Sequence, residues 1–224
     1  MSGLLVEDAP LTHRVQLPAA SGPHPTVLML HGRSGDENVM WVFARALPPE
    51  WLALAPRAIH PDPEGGYAWL HSSRHPRKRD EWPTLAMFDD AVEAILNFIH
   101  ILPTRYNADL NRLYLMGFSQ GAATAYALAL QHPTLVKGVA GLVGFAPLSP
   151  AGRGAGGEWP RPIAGLSIFA AIGLTDPLIP LEIARAGVQT LRAAGATVDA
   201  REYATGHKLN AQGMRDLRQW WAAR

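Results

Sequence analysis

The chain has 224 residues, 48% hydrophobic and 17% charged, with a net charge of +1. That is enough for one domain with a large core, and it leaves no overall field to draw nucleic acid or an anionic membrane. The absence of cysteine excludes disulfides, iron–sulfur centres, thiolate zinc sites and a cysteine nucleophile.

Met1 to Pro10 carries Glu7 and Asp8 and no long apolar core, so it does not read as a signal peptide. No apolar run reaches membrane-spanning length, and the expectation is a cytoplasmic protein without stable membrane insertion. Thr12 to Leu17 alternates polar and apolar residues, which predicts a half-exposed edge strand. Thr26–Leu30 is a continuous apolar run, the mark of a strand buried on both faces. It opens into the polar loop His31-Gly32-Arg33-Ser34-Gly35-Asp36-Glu37. A helix is predicted from about Asn38 to Leu47, and a short buried strand over Leu52–Ala55. Arg57 to Pro83 reads as loop, with the basic cluster Arg74, Arg77, Lys78 and Arg79 as a solvated segment. From Leu85, apolar residues recur at helical steps until Pro103, which is expected to end that helix.

Leu113–Met116 is the next buried run, and an alanine-rich helical stretch follows from Ala122 to Leu130. Lys137–Val143 and Leu166–Ala171 are further buried strands. Between them Leu148–Pro162 is rich in Gly, Pro and Ala. Gly152, Gly154, Gly156 and Gly157 imitate part of a dinucleotide fingerprint there, but prolines follow where a helix is needed. Leu181–Ala194 reads as helix, Thr197–Tyr203 as the last strand, and a final helix begins near Asn210. Buried runs alternating with helices predict one α/β domain over residues 1–224, a mostly parallel open sheet covered by helices on both faces. The loops after the strands begin at His31, Pro56, Gly117, Gly144, Ile172 and Ala204, and all share one rim.

Gly117-Phe118-Ser119-Gln120-Gly121 sits between a buried strand and a helix. G-x-S-x-G in that context reads as a nucleophile elbow, a strained turn that lifts the serine Oγ above the sheet. A serine needs a base, and the base needs an orienting acid. Asp176 and His207 follow in the order this architecture uses, each in a loop after a strand. The backbone N–H of Gln120 and that of Arg33 are the candidate oxyanion donors. His31 is expected to shape its loop through hydrogen bonds rather than to act as a second base. Tyr67, Trp69 and the stretch from Ala151 to Gly157 are candidates to line the entrance. His71 and His75 have a metal spacing only if helical. Pro76 opposes a helix and no glutamate accompanies them, so no metal site is expected.

The ordered set Leu30–Glu37, Ala55-Pro56-Arg57, Trp69, Gly117–Gly121, Gly173–Pro180 and Gly206-His207 resembles the phospholipase/carboxylesterase family of α/β-hydrolases, which includes acyl-protein thioesterases. The resemblance implies a compact hydrolase without a large lid, acting on esters or thioesters with no cofactor or metal. It implies Ser119, Asp176 and His207 as a triad, Arg33 and Gln120 as oxyanion donors, and Trp69 near the acyl pocket. Ser34 stands where such loops often have glycine, and Arg74–Arg79 looks like an insertion. Small-molecule esters of short or medium acyl chains are the expected substrates. Alternatives are a dienelactone-hydrolase-like enzyme, though that group usually uses cysteine, and a non-catalytic scaffold of the same fold. The sequence leaves the oligomeric state open, a homodimer included.

Overall fold

The structure is a computed structural model and describes residues 3–71, 82–149 and 162–224. In chain order its strands are β1 (Leu4–Val6), β2 (His13–Gln16), β3 (His24–Leu30), β4 (Leu52–Pro56), β5 (His60–Pro61), β6 (Tyr67–Ala68), β7 (Ala108–Phe118), β8 (Gly138–Leu142), β9 (Ser167–Gly173) and β10 (Thr197–Tyr203). The helices are α1 (Trp41–Ala44), α2 (Asp89–Tyr106), α3 (Gln120–Gln131), α4 (Leu181–Ala193) and α5 (Ala211–Ala222). Eight strands form one sheet in the order β1-β2-β4-β3-β7-β8-β9-β10, and β5 pairs with β6 apart from it. The pairs β1–β2 and β2–β4 are antiparallel, and every other pair in the large sheet is parallel.

Side chains of a strand point alternately to its two faces, and the apolar runs obey that rule. Leu28 and Leu30 of β3 and Leu113 and Leu115 of β7 face a core shared with α2, α3 and α4. Val27 and Met29, with Tyr114 and Met116, face the other core, which α1 and α5 close. On α5 the buried stripe is Leu217, Trp220 and Trp221, spaced three and four apart. Burial on both faces explains why these strands read as unbroken apolar runs.

Four expectations need correction. The strand predicted over Thr12–Leu17 is β2, and it is one place in from the edge. The edge is β1, which is too short and too exposed, with Leu4 at 70%, to leave a pattern. The helix predicted over Asn38–Leu47 reduces to α1, because Asp36 Oδ1 accepts the Asn38 N–H at 2.9 Å and holds the preceding residues in a turn. α2 passes through Pro103 and ends only at Asn107, which takes a left-handed φ of 53°. One proline costs one helical hydrogen bond, and Tyr106 anchors the extra turn through a 2.6 Å bond between its hydroxyl and His13 Nε2. Within Arg57–Pro83 the pair β5–β6 appears where only loop was expected. The basic residues Arg74–Arg79, His75 and the glycines 152–157 lie outside the described residues.

His13 is fully buried. Its Nδ1 donates to the Leu11 carbonyl at 2.8 Å, and its Nε2 accepts from Tyr106, whose oxygen also accepts from Arg105 Nε at 3.1 Å. Burial holds its pKa below the usual histidine value. The unfolded chain therefore takes up the proton first. The stability from this histidine is present above about pH 6.5 and is lost as pH falls toward the folded value. His31, described below, acts with the same sign. The urea midpoint should fall between pH 7 and 5.5, with a limiting slope of about 1.4 kcal/mol per pH unit for each histidine. A flat profile across that range would refute the assignment.

Candidate active site

Parallel strands bring their carboxyl ends to one edge of the sheet. There β3 delivers His31–Glu37, β7 delivers Ser119, β9 delivers Asp176 and β10 delivers His207. Ser119 has φ 54° and ψ −118°, a left-handed backbone that costs a residue with a Cβ on the order of 1–3 kcal/mol. Its N–H donates to the Leu142 carbonyl at 2.9 Å, and its carbonyl accepts from Ala122 at 3.0 Å. The flanking glycines are there for space. A Cβ on Gly117 would strike the Gly121 carbonyl, and one on Gly121 would strike the Leu30 carbonyl. That packing seats α3 directly on the end of β3.

His207 Nδ1 lies 2.7 Å from Asp176 Oδ2. A carboxylate only accepts, so Nδ1 carries a proton, and in the neutral ring Nε2 is the nitrogen with the free lone pair. The other oxygen, Oδ1, accepts the N–H groups of Leu178 at 2.8 Å and Ile179 at 3.0 Å. The Asp176 side chain is only 2% exposed and that of His207 16%. The imidazole is 5.1 Å, edge to face, from the ring of Phe118, the residue before Ser119. The phenyl ring of Phe43 stacks on Phe118 in turn, at 5.8 Å.

The loop after β3 lies against the elbow. A Cβ on Gly32 would come within 3.3 Å of the Ser119 Cβ. His31 is buried, and both its ring nitrogens are used. Nδ1 donates to the Gly32 carbonyl at 2.7 Å, and Nε2 accepts the Ala58 N–H at 3.0 Å. This fixes one neutral tautomer, and burial holds the pKa low. The Gly32 carbonyl also accepts the Gly35 N–H at 3.1 Å. That carbonyl belongs to the same planar peptide as the Arg33 N–H, so holding one end aims the other. The role expected for His31 is the one its bonds describe.

The Arg33 side chain turns to Asp62, with Nε donating to Oδ2 at 2.6 Å, and Nη2 reaches Glu64 at 3.2 Å. Ser34 has φ 62°, the left-handed region that glycine enters freely. Below the loop Arg57 grips Glu37 with two bonds of 2.7 and 2.9 Å, and the guanidinium holds the carboxyl below the usual carboxylate range. The Arg57 guanidinium also lies 4.8 Å over the ring of Tyr67.

Of the remaining expected residues, Tyr67 and Trp69 lie against the loop after β3. Tyr67 is half-buried, and its N–H donates to the Gly35 carbonyl at 2.8 Å. Trp69, implied as a neighbour of the acyl pocket, is 1% exposed, with both its N–H groups committed to protein acceptors. The His71 ring lies 5.3 Å from that of His60, and His75 falls outside the described residues. Among the described residues no cluster of His, Asp or Glu is placed to hold a metal, and no helix is long and apolar enough to cross a membrane. The pairing of Glu37 with Arg57, of Asp62 with Arg33, and of the Gln120 side chain with Trp69 joins residues 20, 29 and 51 apart and has no local signature.

The phospholipase/carboxylesterase family matches the chain over residues 12–223. A carboxylesterase from Mesorhizobium loti superposes with a TM-score of 0.82 at 25% identity, covering 100% of this chain and 99% of its own. The Bacillus cereus carboxylesterase superposes at 0.78 and 21% identity, over 96% and 95% of the two chains. SOBER1 of Arabidopsis thaliana superposes at 0.73 and 20%, over 88% and 97%. The last two likenesses speak to the fold, a mostly parallel eight-stranded α/β-hydrolase sheet, with no large lid among the described residues.

Proposed function

The chain belongs to the phospholipase/carboxylesterase family and is an esterase, and within that class we propose a serine hydrolase working through an acyl-enzyme. The observation that carries the reading is the partly buried 2.7 Å bond between His207 Nδ1 and Asp176 Oδ2, on the rim that also holds Ser119 in its strained turn. Ser119 Oγ attacks the ester carbonyl carbon while His207 Nε2 takes its proton. The carbonyl oxygen becomes an oxyanion, held by the N–H groups of Arg33 and Gln120. As the intermediate collapses, the carbon–oxygen bond to the alcohol breaks, and the imidazolium returns the proton to the departing alkoxide. Water then repeats the sequence on the acyl-enzyme, releasing the acid and restoring Ser119. Every step is a proton transfer or an acyl transfer, and the side chains named supply both.

Soluble esters or thioesters of short to medium acyl chains fit a site over which the described residues build no large lid. A fluorophosphonate probe should label Ser119 in the intact protein. A panel of p-nitrophenyl esters, with a thioester beside it, should show saturable turnover highest at short or medium chain length. Failure of the probe to label Ser119, or strong activation on long-chain emulsions, would count against the reading.

The part given to Arg33 is its backbone N–H, since its guanidinium is engaged by Asp62 and Glu64. Arg33→Ala keeps the N–H and should cost less than about tenfold in kcat on a neutral ester. Arg33→Pro deletes it and should cost about 10²–10³. Circular dichroism and probe labelling of Ser119 check that the fold survives the proline. Equal losses in the two variants would transfer the effect to the side chain.

A further inference from the structure

Two separate pieces of chain carry the donors assigned above, the loop after β3 for Arg33 and the start of α3 for Gln120. A third piece, Ala58–Leu70, lies against both. Trp69 bonds to each carrier. Its main-chain N–H donates to Gln120 Oε1 at 2.7 Å, and its indole Nε1–H donates to the His31 carbonyl at 2.8 Å. The indole also lies 5.4 Å from the His31 imidazole. With Trp69 1% exposed, both bonds are shielded from water.

The bonds are placed where they control geometry. The His31 carbonyl opens the peptide leading into Gly32, and the Gly32 carbonyl belongs to the peptide that ends in the Arg33 N–H. The first is held by the Trp69 indole and the second by His31 Nδ1 and the Gly35 N–H. On the other carrier, the Gln120 carbonyl accepts from Thr124 Oγ1 at 2.9 Å, and the Gln120 side chain accepts from Trp69. One rigid bicyclic side chain and its own main chain therefore span the gap between the two donors. Resting on the oxyanion-hole reading above, we propose that Trp69 is a positioning residue that sets the spacing of the Arg33 and Gln120 N–H groups, and not a wall of the acyl pocket.

Such a brace acts on the transition state, because only there does the carbonyl oxygen carry the charge the donors are spaced to meet. A pocket wall would instead alter binding, and differently for each acyl length. The cleanest variant replaces Trp69 with 3-benzothienylalanine, which keeps the shape and substitutes sulfur for the indole N–H. Trp69→Phe is the genetic counterpart. On p-nitrophenyl acetate, butyrate and octanoate, kcat should fall about tenfold at every length, less than the 10²–10³ lost with a whole donor. KM should stay within about twofold. The affinity for a trifluoromethyl ketone, which forms the tetrahedral adduct on Ser119, should fall by the same factor as kcat. An unchanged kcat and ketone affinity would overturn the proposal, as would a KM that shifts with acyl length. Arg33→Pro measured alongside separates the two levels. A normal rate in that variant removes the oxyanion reading and this proposal with it. A slow Arg33→Pro beside a normal benzothienylalanine enzyme removes only the role of Trp69.

Discussion

Ser119→Ala is expected to lower kcat on a soluble ester by about 10⁶, with the fold intact. The size follows from what is lost. Without Oγ there is no acyl-enzyme, His207 has no hydroxyl to activate, and Asp176 orients an imidazole with nothing to do. Groups that act as one unit fail together, so the loss approaches that of removing all three. About 10³–10⁴ over water should survive, from the oxyanion donors and binding alone. The structure gives the reason the change should be tolerated. The strain at Ser119 lies in its backbone, φ 54°, and alanine carries it at a cost similar to serine. The anchors of the turn are main-chain bonds to Leu142 and Ala122, which alanine keeps. The measurement is single-turnover hydrolysis beside a thermal melt. A loss below about 10² with a normal melt would mean that another group attacks the ester.

The parts of this site that were legible in the sequence are those whose cause is local. The elbow is readable because Gly117 and Gly121 are needed for close approach within five residues, and the flanking runs change period from strand to helix. The positions of Asp176 and His207 are readable because β9 is a short buried apolar run and β10 a short half-exposed strand, and a parallel sheet sends the ends of both to one rim. What escaped the sequence has causes at long range. Pro103 looked like a helix end because a lost hydrogen bond is a local fact. The contact that carries α2 past it, Tyr106 on His13, joins residues 93 apart. The two bonds of Trp69 left no trace in the sequence, because an aromatic side chain does not announce which of its N–H groups will be used. Its partners, Gln120 and His31, are 51 and 38 residues away. The Glu37–Arg57 pair that props the loop after β3 is likewise a tertiary event between two loops. Sequence periodicity places strands, and strands place the groups proposed to react. The shell that holds those groups still is made of contacts that only the folded chain brings together.

Asp176→Asn is expected to lower kcat by about 10⁴ while leaving the fold and the site in place. Which way the new amide must face decides the outcome. In the native protein Oδ1 accepts two main-chain N–H groups, from Leu178 and Ile179, and Oδ2 accepts the proton on His207 Nδ1. An amide has one oxygen and one NH₂. If its NH₂ faced Leu178 and Ile179, donors would meet donors in a place that is 2% exposed. The oxygen therefore stays with the two N–H groups, and the NH₂ turns to His207. Nδ1 must then accept, so the imidazole proton moves to Nε2. A ring with its proton on Nε2 cannot receive one from Ser119, and the base is disabled with every heavy atom close to its native position. The loss should appear in kcat with KM little changed, since no group that binds the ester is altered. A proton NMR spectrum gives an independent reading. The resonance of the buried Nδ1–H bonded to Asp176 should be present in the wild-type protein and absent in the variant. A loss below tenfold, with that resonance gone and the melt unchanged, would mean that another acid orients His207.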